Sequence, residues 1–293
     1  MSDYLIKSVT QDGNFRAYAI LTTDLVAQAQ VLHDTWASSS AALGRTLTGG
    51  LLMASSILKG DDKLSIKFDG QGPVGNVVVE ASPKGIVKGY IQNPHVNLAP
   101  KADGHIDVAQ AVGRDGFLTI TKDQGFGMPF TGQVPIVSGE IGEDFTYYLA
   151  KSEQIPSAVG VSVFVNADSS IAAAGGFLIQ LLPGADDEAI SALEKKLAEM
   201  PMLSELLLAG KQPEDVLAML FDNTEVNVID KIPVKFECDC SKNKFAERMA
   251  ALPKADLQDL IDNDHGAEVV CSYCNTHYQF SENDLQTIIN NQA

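Results

Sequence analysis

No apolar run in this chain approaches the length of a bilayer span. The longest candidate, Leu203 to Phe221, is broken by Glu205, Gly210, Lys211 and Pro213-Glu214-Asp215. A basic start followed by an apolar stretch is also missing. The chain begins Met1-Ser2-Asp3-Tyr4-Leu5-Ile6-Lys7, so no secretory leader is expected, and a cytoplasmic location away from membranes is. Basic residues are few, 21 against 38 acidic ones, for a formal net charge of −17. A phosphate backbone would be repelled by that surface, and the lysines and arginines are scattered singly, which excludes nucleic acid as the expected partner. Cysteine is scarcer still: four residues, all in the last fifth of the chain. A disulfide-stapled secreted protein would spread them through its domains, whereas concentration in one segment reads as a metal site or a redox centre.

What is present is a normal core composition, 45% hydrophobic over 293 residues, enough for two or three units. The first unit spans residues 1–180. Tyr4–Thr10 and Phe15–Thr22 read as strands joined through Asp12-Gly13, and Asp24 and Ser38–Ser40 are placed to cap two helices. Beyond Lys59-Gly60 the period shortens. Strands are expected at Leu64–Phe68, Val74–Glu80, Gly85–Ile91, Phe117–Thr121, Thr131–Val137, Ala158–Val165 and Ile171–Ile179, with a helix at Asp144–Ser152. Consecutive short strands with tight turns argue for antiparallel pairing, so the fold class is α+β: a mainly antiparallel sheet core with packed helices. Residues 181–231 read as a helical linker, rich in Leu and Met along Met202–Leu208 and Pro213–Phe221. Such a surface either packs permanently on the first unit or is covered conditionally and binds other proteins when uncovered.

The third unit, 232–293, has few large apolar side chains and all four cysteines, which makes it marginal without a staple. Cys238-Asp239-Cys240 is followed by thirty residues (241 to 270) and then by Cys271-Ser272-Tyr273-Cys274. Two close pairs supply the four thiolates that one tetrahedral zinc ion requires, so Cys238, Cys240, Cys271 and Cys274 are the expected ligands. His265 and His277 lie nearby but are surplus to four sulfurs, and both are expected at the surface. Zinc-bound thiolates are held deprotonated, the form that peroxide attacks, and adjacent cysteines can resolve the first product into a disulfide within each pair. Such short loops constrain the unfolded chain by roughly 2 kcal/mol each. A zinc ion in a small domain contributes about 10–16 kcal/mol of apparent free energy. Oxidation should therefore release the metal and leave the domain too weak to stay folded.

Other signals point nowhere. Gly70-Gln71-Gly72-Pro73-Val74-Gly75 has the dinucleotide spacing, but Asn76–Glu80 continues as a strand where the motif needs a helix. His33, His95 and His105 have no evident nucleophile partner and no G-x-S-x-G elbow occurs, so no enzymatic activity is expected. The cysteines alone also allow a constitutive zinc-ribbon adaptor, which would keep its metal under peroxide, or a thiol–disulfide oxidoreductase, which would turn over disulfide substrates.

The Cys-x-Cys and Cys-x-x-Cys pairs thirty residues apart resemble those of the heat-shock protein 33 family of redox-regulated holdases. The likeness extends to Phe68-Asp69-Gly70-Gln71-Gly72-Pro73, to Tyr147–Gln154 and to Ala174-Gly175-Gly176-Phe177-Leu178-Ile179-Gln180, and so covers essentially the whole chain. The resemblance implies a zinc-bound, monomeric protein that is inactive when reduced. It implies that oxidative stress joins Cys238 to Cys240 and Cys271 to Cys274, releases the zinc and unfolds the switch domain with its linker. The oxidised protein would then dimerise and hold unfolding client proteins without ATP.

Overall fold

The computed structural model describes residues 2–222 and 225–292, and the chain divides into two compact units, Met1–Glu237 and Cys238–Ala293. The first unit opens with strands β1 (Tyr4–Thr10) and β2 (Phe15–Leu21) and helices α1 (Thr23–His33) and α2 (Ala37–Ile57). Strands β3 (Lys63–Asp69), β4 (Val77–Ala81) and β5 (Ile86–Ile91) follow, then the short α3 (Val108–Val112), which the sequence had not suggested. After β6 (Phe117–Asp123) and β7 (Phe130–Pro135) comes α4 (Gly142–Tyr148), continued by a π-helical turn, Leu149–Glu153, and then β8 (Ser157–Val165) and β9 (Ile171–Leu181). Helices α5 (Asp187–Glu199), α6 (Leu203–Leu208) and α7 (Pro213–Phe221) lead to β10 (Val226–Pro233) and β11 (Lys235–Phe236).

These strands form two sheets, one ordered β10-β1-β2-β9-β8 and one ordered β11-β5-β4-β3-β6-β7. Every pairing is antiparallel except the two-residue β11 on β5, as expected of the α+β class. Helix α2 packs against both sheets, touching β4 and β5 of one and β8 and β9 of the other. That position explains its composition: Ser38 through Ser55 is almost continuously buried, which only a helix rich in Ala, Gly, Ser and Thr can tolerate at close range. A methyl on Gly49 would lie 2.3 Å from the Phe145 ring. The buried hydroxyls of Thr46 and Thr48 donate to the carbonyls of Ala42 and Gly44, each at 2.8 Å, so both are satisfied within the helix.

The helix starts differ from the expectation. Asp24 and Ser38–Ser40 lie inside α1 and α2, not at their caps. The carboxylate of Asp3, next to β1, accepts from the Leu25 amide at 2.7 Å and caps α1 from a distance of 22 residues. Ser38 and Ser39 hold the 93–98 loop instead: Ser38 Oγ accepts from the Leu98 amide and Ser39 Oγ donates to the Asn93 carbonyl, both at 2.9 Å. The Gly70–Gly75 segment is a turn leading into β4. Cβ atoms at Gly70 or Gly72 would sit 2.4 Å from the carbonyl oxygens of Val112 and Ala111, so these glycines serve a backbone crossing and not a phosphate.

Helices occur within 181–231, and they cover one face of the five-stranded sheet. Leu193, Leu203, Leu207, Val216, Leu217, Leu220 and Phe221 join Ile6, Phe15, Ala17, Phe177 and Ile179 in one apolar cluster. The stretch ends in β10, a strand the sequence had not suggested, which pairs with β1 from Tyr4↔Pro233 to Thr10↔Val226. Residues 223 and 224 of this stretch lie outside the described residues. Among the described residues no helix is long and apolar enough to cross a membrane.

The second unit contains α8 (Lys242–Met249), α9 (Lys254–Asp262), the hairpin β12 (Gly266–Val270) and β13 (His277–Ser281), and α10 (Glu282–Asn290). Its core is Met249, Leu257, Phe280, Leu285 and Ile288, with Phe245, Leu260, Val269 and Tyr278 packed around them.

Candidate metal centre

The hairpin and the segment before α8 present two cysteines each. With one residue between them, Cys238 and Cys240 fall on the same side of an extended backbone. Asp239, between them, is held by Lys244, whose Nζ reaches the Asp239 carboxylate at 2.6 Å and its carbonyl at 2.8 Å. Ser241 then caps α8 by accepting from the Lys244 amide at 3.3 Å, which ends the segment at a fixed place.

Cys271 and Cys274 lie in the β12–β13 turn. The Asn275 amide donates to the Cys271 carbonyl at 2.8 Å and the Cys271 amide to the Thr276 carbonyl at 2.9 Å. Closing so tight a turn requires Asn275 at φ 58°, a left-handed conformation that asparagine tolerates better than most side chains.

The four sulfurs lie within 4.8 Å of one another. Across the pairs, Cys238 Sγ is 3.8 Å from Cys271 Sγ and Cys240 Sγ is 3.3 Å from Cys274 Sγ. A disulfide would need about 2.05 Å, and all four thiols are free. A tetrahedral ion with metal–sulfur bonds of about 2.3 Å sets its ligands about 3.8 Å apart, so the donor set fits a soft divalent ion in a closed four-sulfur site. Cys271 is buried and the other three are half-buried.

Neighbouring hydroxyls complete the surroundings. Tyr278 Oη lies 3.1 Å from Cys240 Sγ and Thr276 Oγ1 lies 3.2 Å from Cys274 Sγ. Burial pushes the Cys238 and Cys240 thiols up. Burial acts to raise Cys274, but the hydroxyl and amide of Thr276, together with hydrogen bonds from the Cys240 and Cys238 thiols, outweigh it and bring that thiol down to about 7. The hydrogen bond with Cys240 raises the Tyr278 phenol to about 12; opposite a Cys240 thiolate, which carries no proton, this hydroxyl can only donate.

Both nearby histidines point elsewhere. His265 Nδ1 pairs with Glu282 at 2.9 Å and His277 Nδ1 with Glu268 at 3.1 Å, on exposed side chains. In the first unit, His95 stacks on Trp36, ring centres 5.1 Å apart, and pairs with Asp34 at 2.9 Å. Thr276 and Tyr278 were not legible as sulfur partners. Thr276 follows Cys274 by two positions, a usable hint, whereas Tyr278 is 38 residues from the cysteine it touches.

The sequence model of the family described as Hsp33 protein matches residues 3–281 of this chain. The 33 kDa chaperonin of Lactiplantibacillus plantarum is 61% identical over 290 residues, covering 99% of this chain and 98% of that protein. That of Levilactobacillus brevis is 58% identical over 289 residues, with coverage of 99% and 98%. The crystal structure of the 33 kDa chaperonin from Thermotoga maritima superposes with a TM-score of 0.91 at 33% identity, covering 99% of this chain and 98% of that one. These relatives are chaperones and not enzymes. With a family match over nearly its full length, a fold shared with a solved relative and four cysteines gathered at one point, the chain belongs to the Hsp33 chaperone family.

Proposed function

We propose that this protein is a cytoplasmic, ATP-independent holdase whose 232–293 segment is a zinc-held redox switch. The observation that carries this reading is the gathering of four thiols within 4.8 Å in a unit whose core has only five buried apolar members among the described residues. Cys238, Cys240, Cys271 and Cys274 are the ligands of one zinc ion in the reduced state. Zinc would hold all four as thiolates and tie the two pairs across the intervening loop.

Under peroxide one thiolate of a pair attacks the O–O bond, forming a sulfenic acid and releasing hydroxide. The neighbouring thiolate then attacks that sulfur, forms the disulfide and expels a second hydroxide. Two thiolates thus lose two electrons and one peroxide gains them. The products are the Cys238–Cys240 and Cys271–Cys274 disulfides. Each closes only a local loop, so the tie between the pairs is lost, and the small core cannot hold the unit by itself.

In this reading the 181–231 linker unfolds together with this unit, and its helices Asp187–Glu199, Leu203–Leu208 and Pro213–Phe221 give up the apolar cluster to which they contribute Leu193, Leu207, Leu217 and Leu220. Uncovering that cluster provides a surface for unfolding clients and for a second copy, so the active form is a dimer and the reduced form a monomer. Nucleic acid and membrane are not partners in this reading, consistent with the net charge of −17.

Light scattering by a thermally unfolding client tests it: peroxide-treated protein should suppress aggregation and reduced, zinc-loaded protein should not. Equal suppression by the two forms would sink the switch. Retention of zinc under peroxide would instead favour a constitutive zinc-ribbon adaptor.

A further inference from the structure

Of the four sulfurs, Cys240 has the most unusual neighbour. Its Sγ lies 3.1 Å from the hydroxyl of Tyr278, a residue on the strand that follows the other cysteine pair. Thr276 serves Cys274 from within the same turn, but Tyr278 reaches from one pair's hairpin to the other pair's sulfur. Its ring is fixed from two sides. It packs against Phe245 of α8 with ring centres 5.2 Å apart, and its backbone pairs with Val269 across the hairpin. The hydroxyl is thereby aimed by the unit's own apolar core.

We propose that Tyr278 is a positioning residue that restrains oxidation at Cys240 by donating its O–H to that thiolate. A hydrogen bond accepted by a thiolate occupies the lone pair that would otherwise attack peroxide, and it persists only while the hairpin and α8 stay packed. Cys238 and Cys240 are both half-buried and Cys238 accepts from the Cys240 amide, a local bond, so what sets Cys240 apart is a hydroxyl donor carried by the other pair's hairpin. Tyr278 thus links the readiness of the first pair to the folding of the hairpin that carries the second. Loosening the core would release the hydroxyl and expose Cys240 to attack while the sulfurs are still together. This inference rests on the switch reading above.

The test uses the full-length, reduced, zinc-loaded protein and hydrogen peroxide, with released zinc followed by a chromogenic chelator and sulfenic acid trapped by dimedone. In the unsubstituted protein Cys240 should be trapped less than Cys238. Tyr278→Phe, which keeps the ring, should raise the second-order rate of zinc release by roughly tenfold or more, the effect of losing one charge-assisted hydrogen bond. The added label should fall on Cys240. Phe245→Leu keeps the hydroxyl but loosens its aim, so it should accelerate release less than Tyr278→Phe, with its added label also on Cys240. A purely structural role for Tyr278 predicts that this variant accelerates release as much as Tyr278→Phe while adding no preference for Cys240, and that result would overturn the proposal. So would equal trapping of Cys238 and Cys240 in the unsubstituted protein, a readout that stands even if Tyr278→Phe fails to fold. If the unsubstituted protein releases no zinc under peroxide, it is the switch reading that fails. If it does, and Tyr278→Phe behaves identically, this inference alone falls.

Discussion

The unit ending at Glu237 seals Tyr148, Phe68, Phe145 and a long series of leucines at under 2% exposure. The unit beginning at Cys238 seals only Leu257 and Leu285 that tightly among its described apolar residues. One region is held by many redundant contacts around a central helix, so that no single contact decides its fate. In the proposed reading the other concentrates its cohesion in four metal-bound sulfurs. Apolar burial is insensitive to redox state, whereas thiolate coordination is abolished by it. A chain that needs one part to persist while another gives way can obtain both behaviours by dividing its stabilisation in this manner.

The largest expected break in that contrast comes from the metal. Chelation, or Cys271→Ser, should remove on the order of 10 kcal/mol of apparent stabilisation from the C-terminal unit. Proteolysis should then cut within 238–293 first, next within 181–231, and leave residues 1–180 intact. Equal protease resistance with and without metal would erase the comparison.

A smaller break in the opposite unit is Phe145→Ala. The ring is fully buried, meets Phe68 edge-on at 5.4 Å and fills the space left by Gly49. Its loss should cost about 3–5 kcal/mol in denaturant unfolding of the first unit, with zinc still bound at one ion per chain.

The smallest effect sharpens the comparison through pH. Burial raises Asp3 from 3.8 to about 6, against the opposing hydrogen bond from the Leu25 amide. The folded state therefore binds this proton more tightly than the unfolded chain. The stabilisation is fully present below about pH 3.8 and is lost as the pH rises through 6. Asp3→Asn keeps an acceptor for Leu25 and should raise the unfolding free energy of the first unit at pH 7 by about 1–3 kcal/mol, read by denaturant unfolding. The advantage should shrink towards pH 4. A constant difference across that range would show that Asp3 does not titrate in this way.

Legibility in the sequence followed the range of the interactions. Strands such as Tyr4–Thr10 carry their own alternation, and the antiparallel α+β class follows from their short connections. The helix caps misled because Asp24 and Ser38–Ser40 satisfy local statistics, while the group that caps α1 is Asp3, brought there by β1. Strand β10 was hidden because Val226–Pro233 is almost entirely exposed on an edge and has no buried face to impose a period. At the centre, two tight cysteine pairs announced four donors. Nothing near Cys240 announced Tyr278, which arrives only when the hairpin folds.

The sequence by itself determined the donor set, the scarcity of core around it and the expected family, because these depend on residue type and spacing. Tertiary structure alone decided that the four sulfurs meet within 4.8 Å, that the 181–231 helices lie on the five-stranded sheet and that a tyrosine hydroxyl rests on Cys240. Those outcomes require distant segments to be brought together, and the entropy lost in doing so is recovered by packing and coordination spread over the whole chain, which no local stretch of sequence records.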